Sequence, residues 1–494
     1  MYAEGHVIQL VSLTKKAVCM PEGNGFLAPG YDVEKVRDAI KDNVWLHYTN
    51  MKAVRESPDK PLVLVKGEGS TVWDSDGNAY LDCLAGIYSV NAGYGRREIA
   101  EAMMAQLEQI PFINPFGFTS VPTAVFADRL ADLVPLGGDA RIFFTSGGGE
   151  AVETALKIAK KYQTVKGFPH RYKTISRRTA WHGTTFGALS VNGLTDARNG
   201  FGPLMPGARH ASMSHRYRCP YCQNDSACNL TCYDEVERLV EFEGPETVAC
   251  IIMEPVQNAG GCIPPGSQDY FRKIRKLCDE TGILMIMDEV ICGFGRLGEL
   301  FASTYYSVVP DIITTAKGIT SSYAPLGAAM ARKEVANTID EGSVLNHGIT
   351  FGGHAVACAA GIANLDIMLR EDLPGKAKAT GQYLRTQLEE RLGNHPNVGD
   401  IRGAGLFLGV EMVKDRATKE TLPYDADLLS GMTDEMRRRG LIIRNDSRGD
   451  PTTQLCPPLV ITREECDTVV DVLEACFNQL GQALGTVGTT FAAS

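Results

Sequence analysis

From residue 141 to residue 315 the chain repeats one pattern: a short apolar run, a turn, then a stretch with apolar residues at helical spacing. The runs are 141–145 (RIFFT), 173–176 (KTIS), 247–253 (TVACIIM), 283–287 (ILMIM) and 312–315 (IITT). Runs this short and this apolar suit parallel strands covered on both faces. Between the first two lies 150–161, with Val152, Ala155, Leu156 and Ala159 on one helical face. The alternation predicts an α/β fold built on a large, doubly wound, mostly parallel sheet.

The flanks read differently. The first 30 or so residues are Gly-rich and irregular, an arm. Residues 32–45 fit an amphipathic helix. Short β-type runs at 62–66, 71–73 and 80–84 are separated by turns at 67–69 and 74–78, a hairpin-like stretch. After His347 the pattern turns helical: 376–392 and 464–484 fit helices, and 405–414 and 440–443 fit strands. A single core stops growing near about 250–300 residues, so a chain of this length needs at least two units. The expected division is 1–85 as arm and part of a small domain, 86–345 as the large domain, and 346–494 as the rest of the small domain, which both chain ends build together.

Composition narrows the function. With 44% hydrophobic and 22% charged residues the chain has the balance of a soluble globular protein. A net charge of −10 disfavours a nucleic-acid backbone as partner, and no basic amphipathic stretch suggests a membrane surface. Most of the 14 cysteines sit singly in apolar segments, as Cys83, Cys250, Cys278, Cys358 and Cys476 do. That is the usage of a reducing compartment. Lys15 and Lys16 follow the apolar stretch 7–13 instead of preceding it, unlike a signal peptide. A cytoplasmic protein is expected.

In open α/β sheets ligands gather beyond the carboxyl ends of the strands, and unusual residues stand at those ends here. Gly147, Gly148 and Gly149 separate a strand from a helix, where free N–H groups can hold an anion; a flexible turn would read the same. Asp288 and Glu289 follow ILMIM. Acids there are costly unless partnered, and an Asp can keep a pyridine nitrogen protonated; alone it would read as a helix cap. Lys317 follows IITTA. A Schiff-base lysine needs such desolvation; otherwise it would be an ion-paired lysine reaching for solvent. Trp181, after the 173–176 run, could stack on a planar ring or pack in the core.

These motifs, with FFTSGGGEAVETALK, WHGTT, IIMEP, DEVICGFGRLG, AKGITSSYAPLGA, HGITFGGH and LCPPLVIT, make the chain resemble class III aminotransferases, of the fold-type I pyridoxal-phosphate enzymes. The likeness runs from about Trp45 to Leu480 and leans to the ω-amino acid or amine:pyruvate branch, including taurine–pyruvate-type enzymes. The resemblance implies a ping-pong transfer of an amino group from an ω-amino acid or amine donor (taurine, β-alanine, a polyamine or similar) to a 2-oxo acid, with pyridoxal 5'-phosphate as cofactor. Lys317 would form the imine and shuttle the proton, and Asp288 would pair with the ring nitrogen. Val290 and Trp181 would pack on the two ring faces, with His182 beside them. Gly147, Gly148 and Gly149 would hold the phosphate, and Thr350 would reach it from a neighbouring protomer, implying a homodimer, alone or paired into a tetramer. Glu254 would support the site, and Tyr88, Trp45 and Trp181 would line an aromatic pocket.

The chain departs from the family at several places. Gly149 stands where Ser or Thr is usual, removing one hydroxyl from the phosphate, and Trp181 stands where Tyr is usual. Ile291 and Ala259 stand where 4-aminobutyrate and ornithine enzymes carry Gln and Glu, which argues against those activities. Arg444 stands where the amine:pyruvate branch has a mobile Arg for the acceptor carboxylate, with Arg448 as its competitor. A racemase, aminomutase or decarboxylase on the same scaffold is the enzymatic alternative, and a non-catalytic regulator the other. Cys219, Cys222, Cys228 and Cys232 crowd one loop with CxxC spacing for the first pair. They lack the two knuckles of a zinc ribbon, so free thiols or an oxidised pair are favoured and no metal is expected.

Overall fold

The computed structural model describes residues 32–58, 61–222, 227–422 and 426–487; the expected N-terminal arm lies outside them. Seven strands form the central sheet: β1 (Ala140–Thr145), β2 (Lys173–Arg177), β3 (Ala208–Ala211), β4 (Val248–Met253), β5 (Leu284–Asp288), β6 (Ile312–Thr315) and β7 (Gly327–Arg332). Their order is β1-β7-β6-β5-β4-β2-β3. All pairs are parallel except those of β7, which runs antiparallel to β1 and β6. Every residue of β4, β5 and β6 is buried, which is why these runs are apolar without alternation.

β3 and β7 were not expected from the sequence. β7 is GAAMAR, alanine-rich and of weak β preference; its place between β1 and β6 makes it a strand. The helix expected over 150–161 extends over Gly148–Val165 and buries Ala151, Val152, Ala155, Leu156 and Ile158. Helices Arg97–Gln109, Val121–Leu133 and Ala355–Arg370 were not read either.

Near the N-terminus, strands Leu64–Glu68, Thr71–Asp74 and Ala79–Asp82 make an antiparallel meander. The turn expected at 67–69 is corrected: Gly67 and Glu68 stay in the strand, because only Gly69 takes the left-handed φ of 56° that reverses the chain. Strand Leu441–Ile442 joins this meander in parallel with Leu81 and Asp82, so residues from the two ends of the chain share one sheet. A second antiparallel sheet holds Val398–Ala404, Phe407–Asp415, Arg444–Asp446 and Thr452–Leu455. Helix Arg463–Ala483 opens on a capping box in which Thr462 and Glu465 satisfy each other's backbone N–H. No helix among the described residues is long and apolar enough to cross a membrane.

Candidate active site

The carboxyl ends of the parallel strands converge on one cavity of about 170 Å³. Of the residues singled out in the sequence, Gly148, Gly149, Trp181, His182, Glu254, Asp288, Val290 and Lys317 line it. Gly147 caps the helix that starts at Gly148.

Asp288 is the last residue of β5 and is 3% exposed. A buried carboxylate needs donors. Thr314 Oγ1 and Val290 N–H donate to its Oδ1 at 3.0 and 3.2 Å, and His182 Nδ1 lies 2.6 Å from Oδ2. The far nitrogen of His182 sits 3.2 Å from Ser176 Oγ. The acid is thus held at a fixed angle.

Lys317 follows β6 with a left-handed φ of 49°, a backbone state that a lysine reaches only when its surroundings impose it. Asn364 Nδ2 donates to the carbonyls of Gly318 and Ile319 at 2.9 and 3.1 Å. A Cβ on Gly318 would lie 2.5 Å from Asn91 Nδ2. The turn is therefore locked, and it aims Lys317 Nζ into the cavity, 5.5 Å over the Tyr88 ring. Among the described residues Nζ has no hydrogen-bond or ion-pair partner. Burial pulls its pKa down to about 8, against the opposing attraction of Asp288. In the cofactor-free protein the neutral amine should therefore prevail above about pH 8 rather than above the ordinary lysine value of 10.5. Competitive acetylation mapped by peptide mass should show Lys317 reactivity levelling off just above pH 8. A rise that continues to pH 10 would contradict this.

The glycine turn is shaped by Ser146, whose N–H and Oγ both donate to Glu150 Oε2 at 2.8 and 2.6 Å. Position 148 admits no side chain, since a Cβ there would sit 2.9 Å from Val290 Cγ1. A helix start with its first N–H groups unpaired, lined by glycine, is an anion cradle. Glu254 stands between the two ends: Trp181 N–H donates to its Oε1 at 2.9 Å and Asn258 N–H to its Oε2 at 3.0 Å. Burial pushes its carboxyl above the usual range.

A buried amine, a buried acid, an anion cradle and an indole around one small cavity fit a planar cofactor that carries an aldehyde, a basic ring nitrogen and a phosphate. Other expected residues lie apart from the cavity lining. Trp45 is 86% exposed and Thr350 is exposed on the surface of the single chain. Tyr88 is buried, and its hydroxyl donates to Gln454 Oε1. Arg448 stands with its guanidinium 5.3 Å from the Trp181 ring centre and is held by Asp446, which accepts from Nε and Nη2 at 2.8 and 2.6 Å. Arg444 is half-buried, with Nη2 4.0 Å from Asp446 Oδ1. Sequence reasoning missed Tyr48, which meets Trp181 edge-on at 5.7 Å, and Asn364. Neither carries a local signal.

Two clusters lie outside this cavity. Cys219 Sγ and Cys222 Sγ are 3.2 Å apart, and the described cysteines are free thiols. His215, Glu411 and Asp450 also approach one another. Arg218 Nε and Arg402 both donate to Glu411, so its charge is already matched.

Comparison with known proteins agrees with this geometry. The family model described as aminotransferase class-III matches residues 53–477. The probable aminotransferase Rv3329 of Mycobacterium tuberculosis is 44% identical over 446 residues, covering 89% of this chain and 94% of that protein. The putrescine–pyruvate aminotransferase of Pseudomonas aeruginosa is 36% identical, covering 88% of this chain and 94% of its own. The crystal structure of a thermostable (S)-enantioselective omega-transaminase from Thermomicrobium roseum superposes with a TM-score of 0.85 at 42% identity, covering 91% of this chain and 99% of that one.

Proposed function

Because the chain belongs to the class III aminotransferases, we propose that it moves an amino group from an ω-amino acid or other amine donor to a 2-oxo acid, with pyruvate as acceptor. Enzymes of this class use pyridoxal phosphate, which when bound supplies the electron sink that lets a carbon–hydrogen bond beside nitrogen ionise. The observation that carries the reading is a buried, unpaired lysine amine and a buried, fully oriented carboxylate on the same small cavity.

Each residue then has a task. Lys317 Nζ, whose pKa burial brings down to about 8, takes the proton from the donor carbon and returns one to the acceptor carbon. Asp288 would face the ring nitrogen of the cofactor and favour its protonated form, and His182 with Thr314 fixes the direction of its carboxylate. The N–H groups at Gly148 and Gly149 receive the phosphate. Trp181 and Val290 confine the ring and exclude water. Thr350 serves the cradle of a second protomer, so the working unit is a homodimer; its exposure on the single chain fits that task.

Two arginines surround one carboxylate beside Trp181, leaving one net positive charge for an anion. Arg448 is clamped by Asp446, whereas Arg444, at 35% side-chain exposure, has room to turn. We assign Arg444 as the residue that pairs with the acceptor carboxylate and swings aside for the donor. A charge-assisted pair is worth about 1.5–3 kcal/mol, so Arg444→Ala should raise KM for pyruvate by about 10- to 100-fold and leave KM for an uncharged amine nearly unchanged. Equal effects on both would exclude the role and move it to Arg448.

The reaction itself is tested with a panel of amines supplied with pyruvate, following alanine. Alanine formed in step with loss of one donor is the expected result. Donor consumption without any alanine, as in racemisation or decarboxylation, would refute it.

A further inference from the structure

Directly across the ladder from Arg444 lies Gln454, on the neighbouring antiparallel strand. Side chains at such a pair stand next to each other on one face of the sheet. Gln454 is fully buried, and its amide is committed at both ends. Oε1 accepts from the Tyr88 hydroxyl, and Nε2 donates to Asn258 O at 2.8 Å and to Asp446 Oδ2 at 3.1 Å. Both partners of Nε2 can only accept, so the amide has one orientation.

Asp446 is the buried acid that Arg444 and Arg448 share. An ionised carboxylate offers about four acceptor positions. Arg448 takes three of them: its N–H and Nε donate to Oδ1 at 3.0 and 2.8 Å, and its Nη2 donates to Oδ2 at 2.6 Å. Gln454 takes the fourth. Arg444 is left outside. Its Nη2 stays 4.0 Å from Oδ1, beyond hydrogen-bond reach. Two arginines thus compete for one acid, and the glutamine fills the place that the second would take.

We propose that Gln454 is a specificity-determining positioning residue. By occupying the last acceptor position of Asp446 it keeps Arg444 unpaired and available to the carboxylate of the 2-oxo acid. Without that donor, Arg444, already beside the acid, closes onto Asp446 in a charge-assisted pair and is lost to the substrate. The inference rests on the reading of Arg444 as the residue that binds the acceptor, and the test separates the two.

The test measures kcat/KM of the cofactor-loaded enzyme in the two half-reactions separately, with pyruvate and with an amine that carries no carboxylate. Gln454→Met keeps the length of the side chain and removes its donors. It should lower kcat/KM for pyruvate about ten-fold and leave that for the amine nearly unchanged. Gln454→Asn, whose amide stops one carbon short of Asp446, should act in the same direction and serves if methionine prevents folding. In an Arg444→Ala background neither substitution should cost pyruvate anything further, because the arginine to be captured is gone. A merely structural role would cost the same in both backgrounds. Three outcomes would overturn the proposal: unaltered kcat/KM for pyruvate in whichever variant folds, equal losses for pyruvate and amine, or the same pyruvate loss with and without Arg444. Unaltered kcat/KM for pyruvate in Arg444→Ala alone would instead overturn the role of Arg444, and this inference with it.

Discussion

Lys317→Ala is expected to lower transamination by about four orders of magnitude or more while leaving the fold intact. A positioned general base contributes about 10²- to 10⁴-fold, and the same amine, the one lysine lining the cavity among the described residues, is the group that would join the cofactor covalently. Both contributions vanish together in the alanine variant. Folding should not suffer. Among the described residues Lys317 Nζ has no hydrogen bond or ion pair, and burial already opposes its charge, so removing it takes away a desolvation cost. The sign is definite. The native-state pKa lies below the ordinary value, so the unfolded chain binds this proton more tightly than the native one does between about pH 8 and 10.5. The wild-type cofactor-free protein is therefore penalised at neutral pH, and the penalty fades as pH rises through that window. The variant's cofactor-free form should melt no lower than the wild type at pH 7. Residual turnover above about one part in a hundred, in protein free of wild-type contamination, would exclude Lys317 as the base.

The second large effect is expected from Asp288→Asn. The two side chains have nearly the same shape, so the change removes charge and little else. An opposite charge within about 4–6 Å shifts a pKa by about 1–3 units. If that is the support Asp288 gives a protonated ring nitrogen, turnover should fall by about 10- to 1000-fold, each unit being tenfold. The asparagine can still accept from Thr314 Oγ1 and Val290 N–H, and His182 can turn its proton pattern to suit, so stability should change little. Asp288→Ala is different. It strands His182 and Thr314 in a buried site, with an added cost of about 1–3 kcal/mol in stability. Comparing the two variants by turnover and thermal melting separates the electrostatic role from the structural one. Asparagine with wild-type turnover would remove the charge from the mechanism.

The reach of the sequence differs from residue to residue for a physical reason. An acid or an amine directly after an apolar run announces itself, because burial makes such residues costly and one found there has either partners or a chemical task. Asp288 and Lys317 are legible in that way, as are the three glycines between β1 and its helix. What supports them is not legible. Asn364, which locks the turn carrying Lys317, is 47 residues away in a largely apolar, buried helix. Arg444 and Arg448 look equivalent as text; the Asp446 clamp, closed on one and open on the other, tells them apart.

By itself, then, the order of apolar runs fixed the parallel sheet and the strand ends at which chemistry gathers, since hydrophobic burial and backbone pairing act along the chain. The tertiary structure alone decided that an alanine-rich segment becomes the antiparallel strand β7, that a strand near the C-terminus completes a sheet near the N-terminus, and which distant side chains hold the lysine and the acid in place. Those contacts join residues far apart in sequence, and their energies depend on distances that exist only once the chain has folded.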